Sequence, residues 1–331
     1  MKYVDEFRDR AKAETLIHEI EGLVATIPIA KERPIAIMEV CGGHTHSIFR
    51  YGLEGMLPKE IELVHGPGCP VCVLPMGRVD DCIAVAERPE VIMTTFGDAM
   101  RVPGSKKSLL QAKADGADVR MVYSPMDALA LAKKNPDREV VFFGIGFETT
   151  IPSTALTILQ AKADGVKNFS IFSNHITIVP TIKAILDSPD LQLDGFLGPG
   201  HVSMVIGTTP YEFVAHYYKR PMVVAGFEPL DVLQSIWMVL KQIKEGRAEI
   251  ENQYARIIPE AGNSPALAAV GEVYELREFF AWRGLGSIDH SGVKIRDAFR
   301  DFDAEVKFIM PNVKIADPKS CQCGEVLKGV I

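Results

Sequence analysis

The chain has 331 residues, is 47% hydrophobic and 24% charged, and carries a formal net charge of −7. That acidic balance excludes a surface built to neutralise nucleic-acid phosphates and leaves small molecules and proteins as partners. No apolar run reaches the roughly 18 residues that a membrane helix requires. The opening MKYVDEFRDRAKAETLIHEIEGL mixes both charge signs at helical spacing and lacks the apolar centre of a signal peptide, so the expected location is the cytoplasm.

Residues 1–30 read as an N-terminal helix. Short, nearly continuously apolar runs then alternate with amphipathic stretches: IAIMEV (35–40), IELVHG (61–66), EVIMTTF (90–96) and ADVRMVY (117–123). EVVFFGI (139–145), FSIFS (169–173), LDGFLG (193–198) and PMVVAGF (221–227) continue the series. Strands covered by helices on both faces need apolar residues on both faces, so the fold class is α/β with parallel sheets. Pro125-x-Asp127-x-Leu129 recurs as Pro229-x-Asp231-x-Leu233, an offset of 229 − 125 = 104. The same offset pairs Gly42 with Gly146, Thr45 with Thr149 and Met100 with Met204. The expectation is two similar α/β domains related by internal duplication, at 31–134 and 135–245, with facing strand-end loops. A smaller C-terminal appendage should occupy 246–331, ending in Cys321-x-Cys323.

In the cytoplasm thiols stay reduced, so the 6 cysteines point to metal or redox chemistry before structural disulfides. Cys41-Gly42-Gly43-His44-Thr45-His46 follows an apolar strand, where α/β sheets bind ligands. Its glycines allow close backbone approach, and Thr45 is a candidate helix cap. A cysteine at a helix start feels the positive dipole end, which favours thiolate. A thiolate with imidazoles at His44 and His46 suits iron, copper or zinc. His46 either joins that set or is turned away by the helix.

His65-Gly66-Pro67-Gly68-Cys69-Pro70-Val71-Cys72 is a stiff turn that presents a Cys-x-x-Cys pair, either to chelate a soft metal or to cycle as a dithiol. Cys82, inside a helical run, reads as a packed core residue. The expected cleft sets Cys41, His44, Cys69 and Cys72 on one wall and Glu148, Thr149 and His201 on the other. His175 and His201 are equally readable as caps or core hydrogen-bonders, and Asp98 as a supporting group or a helix cap. Gly144-x-Gly146 begins a dinucleotide fingerprint, but Thr149 stands where the third glycine belongs and Glu148 would repel a pyrophosphate.

MEVCGGHTH, HGPGCPVCVLPMGR, TTFGDAMRVPG, YSPMDAL, GFETT, GPGHVSMVIG, AGFEPLD, ENQY and CGEVL together resemble the hydrogenase maturation family HypD, from about residue 3 to the end. The resemblance implies maturation of nickel–iron hydrogenase on a scaffold formed with the small partner HypC. On it an iron atom becomes an Fe(CN)2CO unit, with HypE and HypF supplying cyanide, before delivery to the hydrogenase large subunit. By the same resemblance Cys41 is the iron ligand, and Cys69 and Cys72 are a second thiol pair, for iron or for electrons. Family members carry further cysteines after CGEVL that, with the one matching Cys323, hold a 4Fe-4S cluster. Here GEVLKGVI follows Cys323, so an incomplete cluster site is expected. Two other classes remain: a thiol-disulfide oxidoreductase using Cys69 and Cys72 without Cys41, and a two-domain small-molecule binder indifferent to cysteine alkylation.

Overall fold

The structure, a computed structural model, describes residues 4–189, 191–312, 315, 322 and 325. In chain order its first elements are α1 (Arg10–Val24), β1 (Ile35–Glu39), α2 (Gly42–Tyr51), β2 (Ile61–His65), α3 (Pro70–Val73) and α4 (Met76–Ala86). Next come β3 (Val91–Thr95), α5 (Leu109–Ala114), β4 (Val119–Met121), α6 (Pro125–Lys134), β5 (Glu139–Gly146), α7 (Ile151–Ala163) and β6 (Phe169–His175). α8 (Ile178–Leu186), β7 (Gly195–Gly198), α9 (Gly200–Ile206), α10 (Glu212–His216), β8 (Met222–Val224), α11 (Pro229–Glu245) and β9 (Ile250–Asn252) follow. The last are α12 (Ser264–Val273), β10 (Tyr274–Leu276), β11 (Phe279–Trp282), β12 (Gly286–Asp289), β13 (Val293–Ile295) and α13 (Ala304–Lys307). All eight apolar runs expected as strands are strands, β1 to β8, and both sheets that hold them are parallel. Among the described residues no helix is long and apolar enough to cross a membrane.

Two compact units divide the chain, and each is assembled from separated segments. The first takes residues up to Cys69 together with Ile182–Ser264. Its sheet runs β2-β1-β7-β8-β9. Ile35, Ile37, Leu63, Leu197 and Val223 of that sheet share a core with Ile20 and Val24 of α1 and with Val232, Leu233 and Ile236 of α11. Each such side chain contributes roughly 1.5–3 kcal/mol on burial. The N-terminal helix therefore belongs to this unit, docked on α11.

The second unit takes Pro70–Thr181 and the described residues between Pro265 and Cys321. Its sheet runs β4-β3-β5-β6. Tyr274, Val293, Ile295, Phe299 and Phe302 enter the same core as Phe142, Phe169 and Ile171, so residues 265–312 of the C-terminal region are woven into this unit, while β9 joins the first sheet.

The contiguous boundaries expected at 134/135 and 245/246 cut through both sheets, because β3 pairs with β5 and β8 pairs with β9. The duplication itself is visible, but exchanged. Met93↔Val119 between β3 and β4 recurs as Leu197↔Val223 between β7 and β8, with 197 − 93 = 104 and 223 − 119 = 104. β1 and β2 correspond in order to β5 and β6, Ala36↔Glu62 recurring as Val140↔Phe169, with 140 − 36 = 104 and 169 − 62 = 107. The first sheet thus reads β2-β1-β7-β8 where the second reads β6-β5-β3-β4. Each unit takes one strand pair from each repeat.

Candidate functional site

The topology of the first sheet fixes where a ligand can enter. β1 leads through α2 to β2 on one side, whereas β7 leads through α9 and α10 to β8 on the other. β1 and β7 are neighbours, paired from Ile37↔Gly195 to Glu39↔Leu197. Connections that diverge from adjacent parallel strands leave a crevice beyond their carboxyl ends. Cys41, the residue before α2, and His201, in the first turn of α9, stand after those two strands.

Cys41 is the residue before α2, in extended backbone (φ −147°, ψ 118°), and its thiol is buried. Its Sγ lies 3.8 Å from His201 Nδ1. Burial pushes the thiol up to about 11; the backbone amide of Gly43 opposes that rise, the charge of Glu39 adds to it, and the amides of His201 and His44 oppose it. The helix end alone therefore does not yield the expected thiolate: desolvation outweighs the dipole at neutral pH.

Behind the sulfur stands Glu39, the last residue of β1 and fully buried. Its carboxylate accepts from the Cys41 backbone N–H at 2.9 Å, from the Thr45 hydroxyl, and from His65 Nδ1 at 2.9 Å. Thr45 is thus a tie from α2 to Glu39 and not the expected helix cap. The hydrogen bond to Glu39 raises the pKa of His65, against burial. His65 closes β2 and introduces the Gly-Pro-Gly turn, whose backbone lies directly on the cysteine loop. Gly42 N–H donates to Gly68 O at 3.1 Å, and a Cβ on Gly68 would stand 2.4 Å from Gly42 N and 2.8 Å from Cys41 Cα. Only glycine allows that approach, which brings the residue preceding Cys69 onto Cys41. Cys69 is half-buried and Cys72, on α3, is exposed.

The imidazole beside the sulfur is His201, not His44. His201 stacks on Phe227 with centroids 3.8 Å apart and planes at 19°. His44 stacks on Phe227 as well (centroids 4.7 Å apart), is fully buried, and places Nε2 3.1 Å from Ala225 O. Desolvation, foremost, lowers the pKa of both imidazoles. Phe227 is fixed in turn by the buried Asp231. Its carboxylate accepts from Arg256 Nη1 (2.9 Å) and Nη2 (2.6 Å), from Gln253 Nε2 (2.8 Å) and from the Glu228 N–H (3.2 Å). The motifs AGFEPLD and ENQY thus lock the loop that aims His201. Sequence reasoning missed Glu39 and Phe227 as parts of the site. The signal for Glu39 was a lone carboxylate ending an otherwise apolar strand.

A family model described as the hydrogenase formation hypA family, HypD, matches residues 11–331. Hydrogenase maturation factor HypD of Rhodobacter capsulatus is 61% identical over 333 residues, 99% of this chain and 88% of that protein. The Escherichia coli (strain K12) factor of the same name is 54% identical over 329 residues, 99% and 88%. That of Azotobacter vinelandii is 52% identical over 335 residues, 99% and 87%. The chain belongs to the HypD family.

The other candidates fall elsewhere in this chain. His46 is exposed on α2. Cys82 is a core residue, its Sγ 3.7 Å from Met93 Sδ. Asp98 caps a short turn of helix through the Ala99 N–H. His175, in β6, is buried with Nδ1 3.1 Å from Ser173 Oγ, and burial pushes it down to about 3. Cys321 and Cys323 lie outside the described residues. Among the described residues no three His, Cys, Asp or Glu side chains converge as a metal set.

Glu148 and Thr149 belong to the second unit, after β5, whereas His201 belongs to the first. Thr149 is exposed. Glu148 is buried; its Oε1 accepts from the Ile178 N–H at 2.9 Å, and its Oε2 has no hydrogen-bond partner. Burial pushes this carboxyl up to about 7. A raised acid binds more protons folded than unfolded, so it costs stability as pH rises from the ordinary carboxylate range through about 7. Glu148→Gln should therefore be nearly neutral in acid and stabilising by ~1–3 kcal/mol above neutrality. Urea unfolding at both ends of that range measures it; equal stability of the two proteins in alkali would refute it.

Proposed function

We propose that this chain acts in nickel–iron hydrogenase maturation as a scaffold that, with HypC, carries an iron atom on Cys41 while it becomes an Fe(CN)2CO unit. The observation that carries this reading is the Cys41 sulfur at the β1–β7 crevice, with an imidazole 3.8 Å away and a buried carboxylate behind its loop. A thiolate beside an imidazole is a donor set for iron. Family membership supports the hydrogenase context. By family analogy HypE and HypF supply the cyanide, the large subunit receives the iron unit, and Cys69 and Cys72 serve as the second thiol pair.

The chemistry asked of the chain is modest. Iron binding must displace the Cys41 proton, which the amides of Gly43, His44 and His201 assist by facing the sulfur. The test is anaerobic Fe(II) titration of the chain with HypC, followed by infrared detection of bound cyanide and carbon monoxide after HypE and HypF are added. Stoichiometric iron with both ligand bands, lost when the cysteines are alkylated beforehand, is the expected result. Iron content and bands indifferent to alkylation would overturn the proposal.

A further inference from the structure

We infer that His201 is a second protein ligand of the iron held by Cys41, so that this chain offers the metal a sulfur–nitrogen pair and leaves its other positions open. The inference rests on Cys41 being the iron-holding thiol. A first-row metal about 2.3 Å from a thiolate and about 2.1 Å from an imidazole nitrogen sets those donors about 3.6 Å apart at the tetrahedral angle and about 3.8 Å apart when the angle opens to about 120°. Cys41 Sγ and His201 Nδ1 are 3.8 Å apart. That separation admits a shared metal in place of the thiol–imidazole contact.

The surroundings hold the imidazole in place. Phe227 fixes the plane of the His201 ring by stacking, and two glycines clear the space for the pair. A Cβ on Gly43 would lie 2.7 Å from Phe227 Cε1 and 3.1 Å from His201 Cε1. A Cβ on Gly200 would lie 2.4 Å from Ala225 O and 3.0 Å from the Phe227 ring. The imidazole nearest in sequence, His44, is turned to Ala225 O in the core. No third His, Cys, Asp or Glu joins the pair among the described residues, so the remaining coordination positions fall to exogenous ligands or a partner's donor. Such an open site is what a scaffold that adds ligands to a metal requires.

The step balances without redox. The Cys41 S–H bond breaks and its proton leaves to solvent as the S–Fe bond forms. His201 donates the Nδ1 lone pair and carries its proton on Nε2.

X-ray absorption of the Fe(II)-loaded full chain, alone and with HypC, reads both donors. Wild type should show a sulfur shell together with the outer-shell scattering of an imidazole. His201→Ala should keep the sulfur shell, lose the imidazole scattering, and bind Fe(II) about tenfold or more weakly with an unchanged thermal midpoint. Sulfur without imidazole in wild type would overturn the inference while Cys41 stands, as would imidazole scattering that persists in His201→Ala. Absence of any sulfur shell in wild type would instead remove the Cys41 reading beneath it. The wild-type spectrum decides even if the variant does not fold.

Discussion

Cys41→Ala should leave the fold intact and abolish iron retention. The side chain is small, and the contacts that shape its loop are made by backbone: the Cys41 N–H to Glu39 and the Gly42 N–H to Gly68 O. Removing one buried sulfur should cost only about 1 kcal/mol of stability. Its effect on iron is of another order, because His201 would remain as a single neutral donor from this pair. Cys41→Ser should retain little iron as well, since a hydroxyl is a poor replacement for thiolate. In wild type, iron uptake should weaken as pH falls, because burial pushes the thiol up to about 11 and protons compete for the sulfur. A dithiol oxidoreductase built on Cys69 and Cys72 would not register the loss of Cys41. Iron content after anaerobic gel filtration, with the cyanide bands, is the measurement. Full occupancy and normal bands in Cys41→Ala would sink the assignment.

The strands were legible because parallel strands buried on both faces leave a direct trace, and IAIMEV or EVVFFGI admits few other readings. Partition into units was not legible. A constant offset reports that segments resemble one another, but strand pairing decides which segments share a core, and the pairing here is exchanged between repeats. The site was half legible for a related reason. Cys41 and the Gly-Pro-Gly turn are marked by local chemistry, whereas the partner of the sulfur arrives from β7, 160 residues away along the chain. Proximity in sequence favoured His44, yet three residues into a helix the side chain has rotated to the core-facing side. Phe227 was passed over because an aromatic after an apolar strand reads as core, and only its stacking with two imidazoles shows its positioning role.

Glu39→Gln is expected to cost ~2–4 kcal/mol and to loosen the cysteine loop, because one buried carboxylate ties three elements together. Its two oxygens serve only donors: Cys41 N–H on one, Thr45 and His65 on the other. Glutamine keeps one acceptor and replaces the second with an NH2 group, which must then face a donor. A buried polar group left unmatched costs about 1–3 kcal/mol, and breaking a buried charged pair costs more. The pH dependence separates these parts. His65 has a pKa raised above its ordinary 6.5, mainly by its hydrogen bond to Glu39. A raised histidine contributes stability that is fully present below about 6.5 and is lost as pH rises through its folded pKa. The gap between wild type and Glu39→Gln should therefore be larger near about pH 6 than near about pH 9, and the residue that remains in alkali measures the unmatched amide. Urea unfolding of both proteins across that range gives the comparison, with His65→Gln as the matched control that removes the pair but spares the contact to Cys41. If Glu39→Gln and His65→Gln lose stability equally and also retain iron equally, Glu39 does no more than neutralise His65. If Glu39→Gln alone sheds iron, the carboxylate sets the Cys41 backbone, as its position at the end of β1 requires.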